Sequence, residues 1–333
     1  MKLRHLSAAA LCIGMMLVAC QKDKDSSGTR KQTASTEKAS DDPMANLFRD
    51  FRNKYTQTFQ FEGKQGIEFT GNEGTVITVR PGGLTRLDGS VYHGPVVASL
   101  FEIQDYSSIA LGGFPTQSLW NEQNPEGGAP ISTAGAVVLE METPDGEQLT
   151  SEGNNVTIAI PVEEGEEFNP DMKIWEGEPS VEQPRDNSWK ELEEVPENIG
   201  NQYYLFNWEG RDRLNVDCLY SCPGTPTPFK VDLPAGFNKT NTEIYVLAHL
   251  CPSTGRKAVF SLDVYNPAPI WWTEHTAAGL PVGTVVDFVA IANIGGVTFF
   301  KVETATIVPG HFQHMSGMTP TPISVMTGIL NSL

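Results

Sequence analysis

Basic residues are scarce in this chain: Lys and Arg number 23 against 41 Asp and Glu, a formal net charge of −18 at pH 7. Nucleic acid and anionic membrane surfaces are held by basic patches, so this balance argues against both and is compatible with divalent cations, basic proteins or neutral glycans. Chemical signatures are missing as well. There is no Gly-x-Ser-x-Gly elbow, His-Glu-x-x-His pair, Walker loop, dinucleotide fingerprint or Asp-x-Asp-x-Asp calcium pattern, so no catalytic residue, metal ligand or cofactor is assigned from spacing. Triads are spatial, and their absence from the sequence excludes less. The apolar segment from Leu6 to Ala19 falls short of the about 20 residues that span a bilayer.

What that segment does carry is an address. Lys2 and Arg4 precede it, and Leu17-Val18-Ala19-Cys20 closes it, the layout of a cleaved secretory signal. The four closing residues resemble the lipobox of bacterial lipoproteins. That resemblance implies diacylglyceryl transfer to Cys20 Sγ, cleavage before Cys20 and acylation of the new amino group. Buried acyl carbons contribute about 0.8 kcal/mol each, so two or three chains anchor a protein durably. The short Lys and Asp mix from Gln21 to Asp25 resembles surface-export signals of Bacteroidetes lipoproteins, which places the expected mature protein on the outer membrane, facing outward. Cleavage would remove Lys2 and Arg4 and move the formal charge from −18 to −20.

Five cysteines are present. Cys12 would leave with the signal and Cys20 would be lipidated, which leaves Cys218, Cys222 and Cys251 in an oxidising compartment. In an extended strand Cys218 and Cys222 would stand about 13 Å apart, beyond disulfide reach. A Cys222–Cys251 bridge is favoured over one from Cys218, because each of the former two adjoins a proline at the end of a strand. A metal site with His249 lacks the short paired spacings of zinc centres.

Residues 20–46 carry Ser, Thr, Lys, Asp and Gln with little that can bury, and are read as a tether after a signal at 1–19. Leu47, Phe48, Phe51 and Tyr55 recur at helical spacing and predict a short helix that packs on the first domain. Beyond it the pattern is short strands and turns. Val156, Ile158 and Ile160 alternate with polar or small residues, and Thr143-Pro-Asp-Gly146 is a turn in which Pro144 presets φ and Gly146 accepts positive φ. Many such strands predict an all-β protein of two β-sandwich domains, 47–198 and 199–308, parted at Pro196–Gly200. Residues 309–333 would form a loop and a short C-terminal helix, with Ile323, Met326, Ile329, Leu330 and Leu333 on one stripe.

Val76 to Leu84, Ser132 to Glu142, the Pro144-Asp-Gly146 turn and the pair Trp175 and Trp189 distantly resemble the β-rich ectodomain of cartilage intermediate layer protein and its relatives. That resemblance implies architecture and an interaction role, with no catalytic residues to carry over. Trp208, Gly210, Asn215 and Asp217 resemble an element of uncharacterised Bacteroidetes surface lipoproteins. Asn215 and Asp217 would share a strand face, where they could bind a cation or satisfy loop backbone. The glutamates from Glu163 to Glu194 read as a solvated acidic rim, and His311 and His314 as surface histidines.

Trp271 and Trp272 are the candidate ligand contacts. In an extended strand they point to opposite faces, so one fills the core and the other packs on a neighbouring domain, a loop or a ligand such as a sugar ring. The expected role is therefore a membrane-anchored binding or scaffold protein with an extracellular protein or glycan partner. The alternative is an accessory polysaccharide hydrolase of the cell envelope, which needs a cleft with two carboxylates roughly 5 to 10 Å apart.

Overall fold

A computed structural model describes residues 41–119, 130–179, 187–219, 224–249, 257–274 and 279–333. The chain there is mostly β-strand, with helices α1 (Pro43–Tyr55), α2 (Tyr106–Gly112) and α3 (Ile323–Leu330). The signal, Cys20, the tether up to residue 40 and the expected Cys222–Cys251 pair lie outside the described residues.

One sheet of 11 strands organises the molecule. Its two faces follow from side-chain alternation along each strand. In Thr242–His249, Ile244, Val246 and Ala248 join one apolar cluster while Tyr245 and Leu247 join another. In Pro95–Ile103, Val96, Ala98 and Leu100 point one way and Phe101 and Ile103 the other. Strands buried on both faces read as continuous apolar runs, as residues 288–292 of Val285–Ile294 do, and burial of each large aliphatic or aromatic side chain stabilises by about 1.5–3 kcal/mol.

The three helices cover one face, where Met44, Leu47, Phe48 and Phe51 of α1 meet Ile109 of α2, Met326 and Leu330 of α3, and Val289 and Ile291 of the sheet. Two smaller sheets cover the other. A 5-stranded sheet buries Ile77, Val79, Val156, Ile158 and Tyr204 against Val137, Leu139 and Leu214. A 4-stranded sheet buries Val231 and Trp272 against Val246, Phe260 and Phe288.

Strand pairing crosses residue 199, the boundary expected from the sequence. Glu197–Ile199 forms a hairpin with Tyr203–Leu205, whose strand continues onto Val156–Pro161. Arg213–Leu219 lies between Ile131–Glu142 and Lys173–Pro179. Strands assigned from sequence to the second unit therefore complete the sheets of the first. The expected link is instead the strand Glu197–Ile199 and the turn at residues 200–202, with Gly200 at φ 61°, because Pro and Gly mark hairpins as readily as boundaries.

The helices refine two further expectations. Asp42 caps α1, accepting from Met44 N at 2.8 Å and Ala45 N at 3.2 Å, and Pro43 occupies the first turn, where its missing N–H costs nothing. Rather than leading into the first unit alone, α1 rests on the Val285–Ile294 strand and on α2. In α3, Met326 and Leu330 are fully buried, but Ile329 and Leu333, expected on the same stripe, are exposed.

Candidate functional site

The tryptophan pair occupies the 4-stranded sheet, in the order Val264–Pro267, Ile270–Thr273, Lys230–Asp232, Phe312–His314. Trp272 is 2% exposed and packs in the core, its ring 4.9 Å from Tyr265, and it stands opposite Val231. Trp271 points outward, as the alternation requires, and is half-buried. Its ring lies 4.2 Å below the Lys230 ammonium, a cation–π contact that covers part of the aromatic face.

Register brings more chemistry to that outer face. The parallel pairing sets Phe312 beside Lys230 and His314 beside Asp232. Phe312 is 42% exposed, its ring 4.7 Å from that of His314, and His314 Nδ1 lies 2.9 Å from Asp232 Oδ1. The two histidines separate. His311 stacks on Phe288 at 5.7 Å, with Nδ1 buried and unpartnered, while His314 stands in solvent. Among the described residues no group of three His, Cys, Asp or Glu is placed to hold a metal.

A cleft opens where the helix layer meets the 5-stranded sheet. Its larger part, ≈ 720 Å³, is lined by residues including Glu73, Gln104, Tyr106, Glu163 and Glu164; an adjoining part of ≈ 210 Å³ adds Tyr55, Glu102 and Thr327. Two of its carboxylates are engaged in structure. Asp105 caps α2, accepting from Ser108 N at 2.6 Å and Ser107 Oγ at 2.9 Å, and its other oxygen accepts from Asn331 Nδ2 at 2.8 Å. Glu102 is buried and accepts from Gln57 Nε2 at 2.8 Å and from the backbone N–H groups of Glu73 and Thr75 at 3.0 Å. Burial, then the charges of Asp105 and Glu102, raise the pKa of Glu73. Burial first, with Glu163 and Asp287 behind it, pushes Tyr106 up to about 12. Sequence reading missed this region because α2 is too short for a clear periodicity; the Asp105-x-x-Ser108 capping spacing before Gly112-Gly113 was its one local signal.

Asn215 and Asp217 do share a strand face, and both are fully buried. Thr133 Oγ donates to Asn215 Oδ1 at 2.9 Å and Asn215 Nδ2 donates to Asp217 Oδ2 at 2.5 Å, beside a bulge between Val216 and Asp217. Among the described residues Asp217 Oδ1 has no hydrogen-bond partner. Burial raises its pKa well above 3.8, against hydrogen bonding from Thr133 and Asn215. Trp175 Nε1 donates to the Asp217 carbonyl at 3.0 Å and Trp189 Nε1 to the Pro115 carbonyl at 2.9 Å. Cys218 Sγ accepts from Asn169 Nδ2 at 3.7 Å. Part of the acidic rim is neutralised by Arg211, which lies 3.0 Å from Glu194 and 3.1 Å from Glu209.

Compared with family models and with curated proteins, the sequence matches none.

Proposed function

We propose that the protein is a lipid-anchored, outward-facing lipoprotein of the outer membrane that binds a protein or glycan partner, its β-layers forming two sandwich halves that share the long sheet. The observation that carries this reading is the outer face of the 4-stranded sheet, where Trp271, Lys230, Phe312 and the His314–Asp232 pair share one open surface. Aromatic rings beside a cation and a carboxylate suit a ligand with flat apolar patches and polar edges. A glycan would have to displace Lys230 to stack on Trp271, whereas an acidic protein group would engage Lys230 where it stands.

The test is affinity electrophoresis and pull-down with the mature chain against a panel of envelope and host polysaccharides and surface proteins. Trp271→Ala with Phe312→Ala should weaken a saturable interaction at least ~10-fold, equivalent to about 1.4 kcal/mol. An interaction indifferent to both changes would remove the assignment of this face.

The hydrolase alternative has one observation in its favour, the raised pKa of Glu73 in the cleft, which suits a general acid. Release of reducing ends from a polysaccharide, abolished by Glu73→Gln, would establish it in place of the binding role.

A further inference from the structure

We infer that the outward face of α3 rests on the lipid bilayer to which the chain is tethered, an inference that depends on the proposed acylation of Cys20. The C-terminal helix is apolar on both sides. Met326 and Leu330 are buried in the core shared with α1, α2 and the sheet, while Val325 and Ile329, and Leu333 just past the helix, are 48%, 37% and 37% exposed. The outward side also carries Ser324 and Gly328, so its apolar part is the Val325–Ile329 pair one turn apart. Among the described residues only the other side is covered.

The chain path selects the occupant. Residues 304–333 contain no Asp, Glu, Lys or Arg, in a protein whose formal charge is −18. The acidic cleft reaches this end of the chain, where Glu73, Asp105, Glu163 and Glu164 line it together with Asn331 and Leu333, but neither Val325 nor Ile329 lines it. The chain also enters here. Asn293 Nδ2 donates to the Pro43 carbonyl at 2.9 Å, Asn293 pairs with Thr298 across the hairpin, and Thr298 Oγ donates at 2.6 Å to the carbonyl of Thr321, just before α3. The start of α1 and the start of α3 thus flank one hairpin end. About twenty residues join Cys20 to Asp41, a reach of at most ~70 Å. A tether of that length turns a weak apolar contact into an intramolecular one, so a small face suffices.

The experiment uses the acylated mature protein reconstituted in phosphatidylcholine vesicles, with the Cys20→Ser chain in vesicle-free buffer as reference. Hydrogen exchange of the 323–333 amides should slow at least ~10-fold on the vesicles, about 1.4 kcal/mol of local protection. Val325→Asp with Ile329→Asp, or the milder Val325→Ser with Ile329→Ser, should abolish that protection while the protein still co-sediments with lipid. Wild-type protein that sediments but exchanges at the reference rate would overturn the docking and leave the anchor standing. A mature protein that carries no acyl chain and does not sediment would overturn the anchor, and this inference with it. Protection of the unacylated chain that grows with protein concentration would assign the face to a second copy and overturn the lipid assignment.

Discussion

Asp217→Asn tests the buried polar network most directly. Asp217 is fully buried, one of its oxygens has no partner among the described residues, and burial raises its pKa well above 3.8. The folded state therefore holds the proton more tightly than the unfolded chain. Linkage then requires the stabilising contribution to be complete below pH 3.8, and to be lost progressively as the pH rises through the folded value. The slope reaches about 1.36 kcal/mol per pH unit for one proton. Asparagine has no proton to lose, and its amide can still accept from Asn215 Nδ2. At the oxygen without a partner, the substitution leaves an unpaired N–H, a constant cost of about 1–3 kcal/mol. The stability of Asp217→Asn relative to wild type should therefore start low at pH 4 and climb with pH at up to about 1.4 kcal/mol per unit. In a thermal melt that is roughly 2–4 °C per kcal/mol. Urea titrations of both proteins from pH 4 to pH 8 measure the difference, and titrations of distant carboxylates cancel in it. A pH-independent gap, or one that closes in the opposite direction, would show that the carboxylate is ionised and paired in the folded state.

Further outcomes follow from the structure and the sequence. Trp272→Ala should destabilise by about 3–5 kcal/mol, as loss of a buried aromatic does, whereas Trp271→Ala, which gives up an outward cation–π contact, should cost under about 1 kcal/mol; equal losses in denaturant titrations would contradict the assigned faces. Glu102→Ala leaves the backbone N–H groups of Glu73 and Thr75 without their acceptor, at about 1–3 kcal/mol for each that stays buried, and should raise hydrogen exchange at residues 71–75. Gly71→Ala should loosen the same turn, since a Cβ there would stand 2.3 Å from Glu102 Oε2. Mass spectrometry of protein from membranes should find a first residue at Cys20 bearing two or three acyl chains, and an unmodified or different start would remove the lipoprotein assignment.

Several strands were legible because alternation is a local property. Val156–Pro161 buries Val156, Ile158 and Ile160, Pro95–Ile103 was delimited as it folds, and Gly146 takes φ 83° in the Thr143–Gly146 turn. The opposite orientations of Trp271 and Trp272 came from the same period of two. Helix α1 announced itself by the spacing of Leu47, Phe48 and Phe51, though not the surface it covers.

What the sequence determined alone was which stretches form strands or amphipathic helices and which side of each is apolar, since these depend on neighbours within a few residues. Tertiary structure decided the partners. Periodicity says nothing about which edge a strand joins, so only the folded chain shows Arg213–Leu219 between Ile131–Glu142 and Lys173–Pro179. The same holds for chemistry: Glu102, Asp105 and Glu73 meet in one cleft, and Phe312 reaches Lys230, because hydrogen-bonded register, a long-range property, brings distant residues to one place.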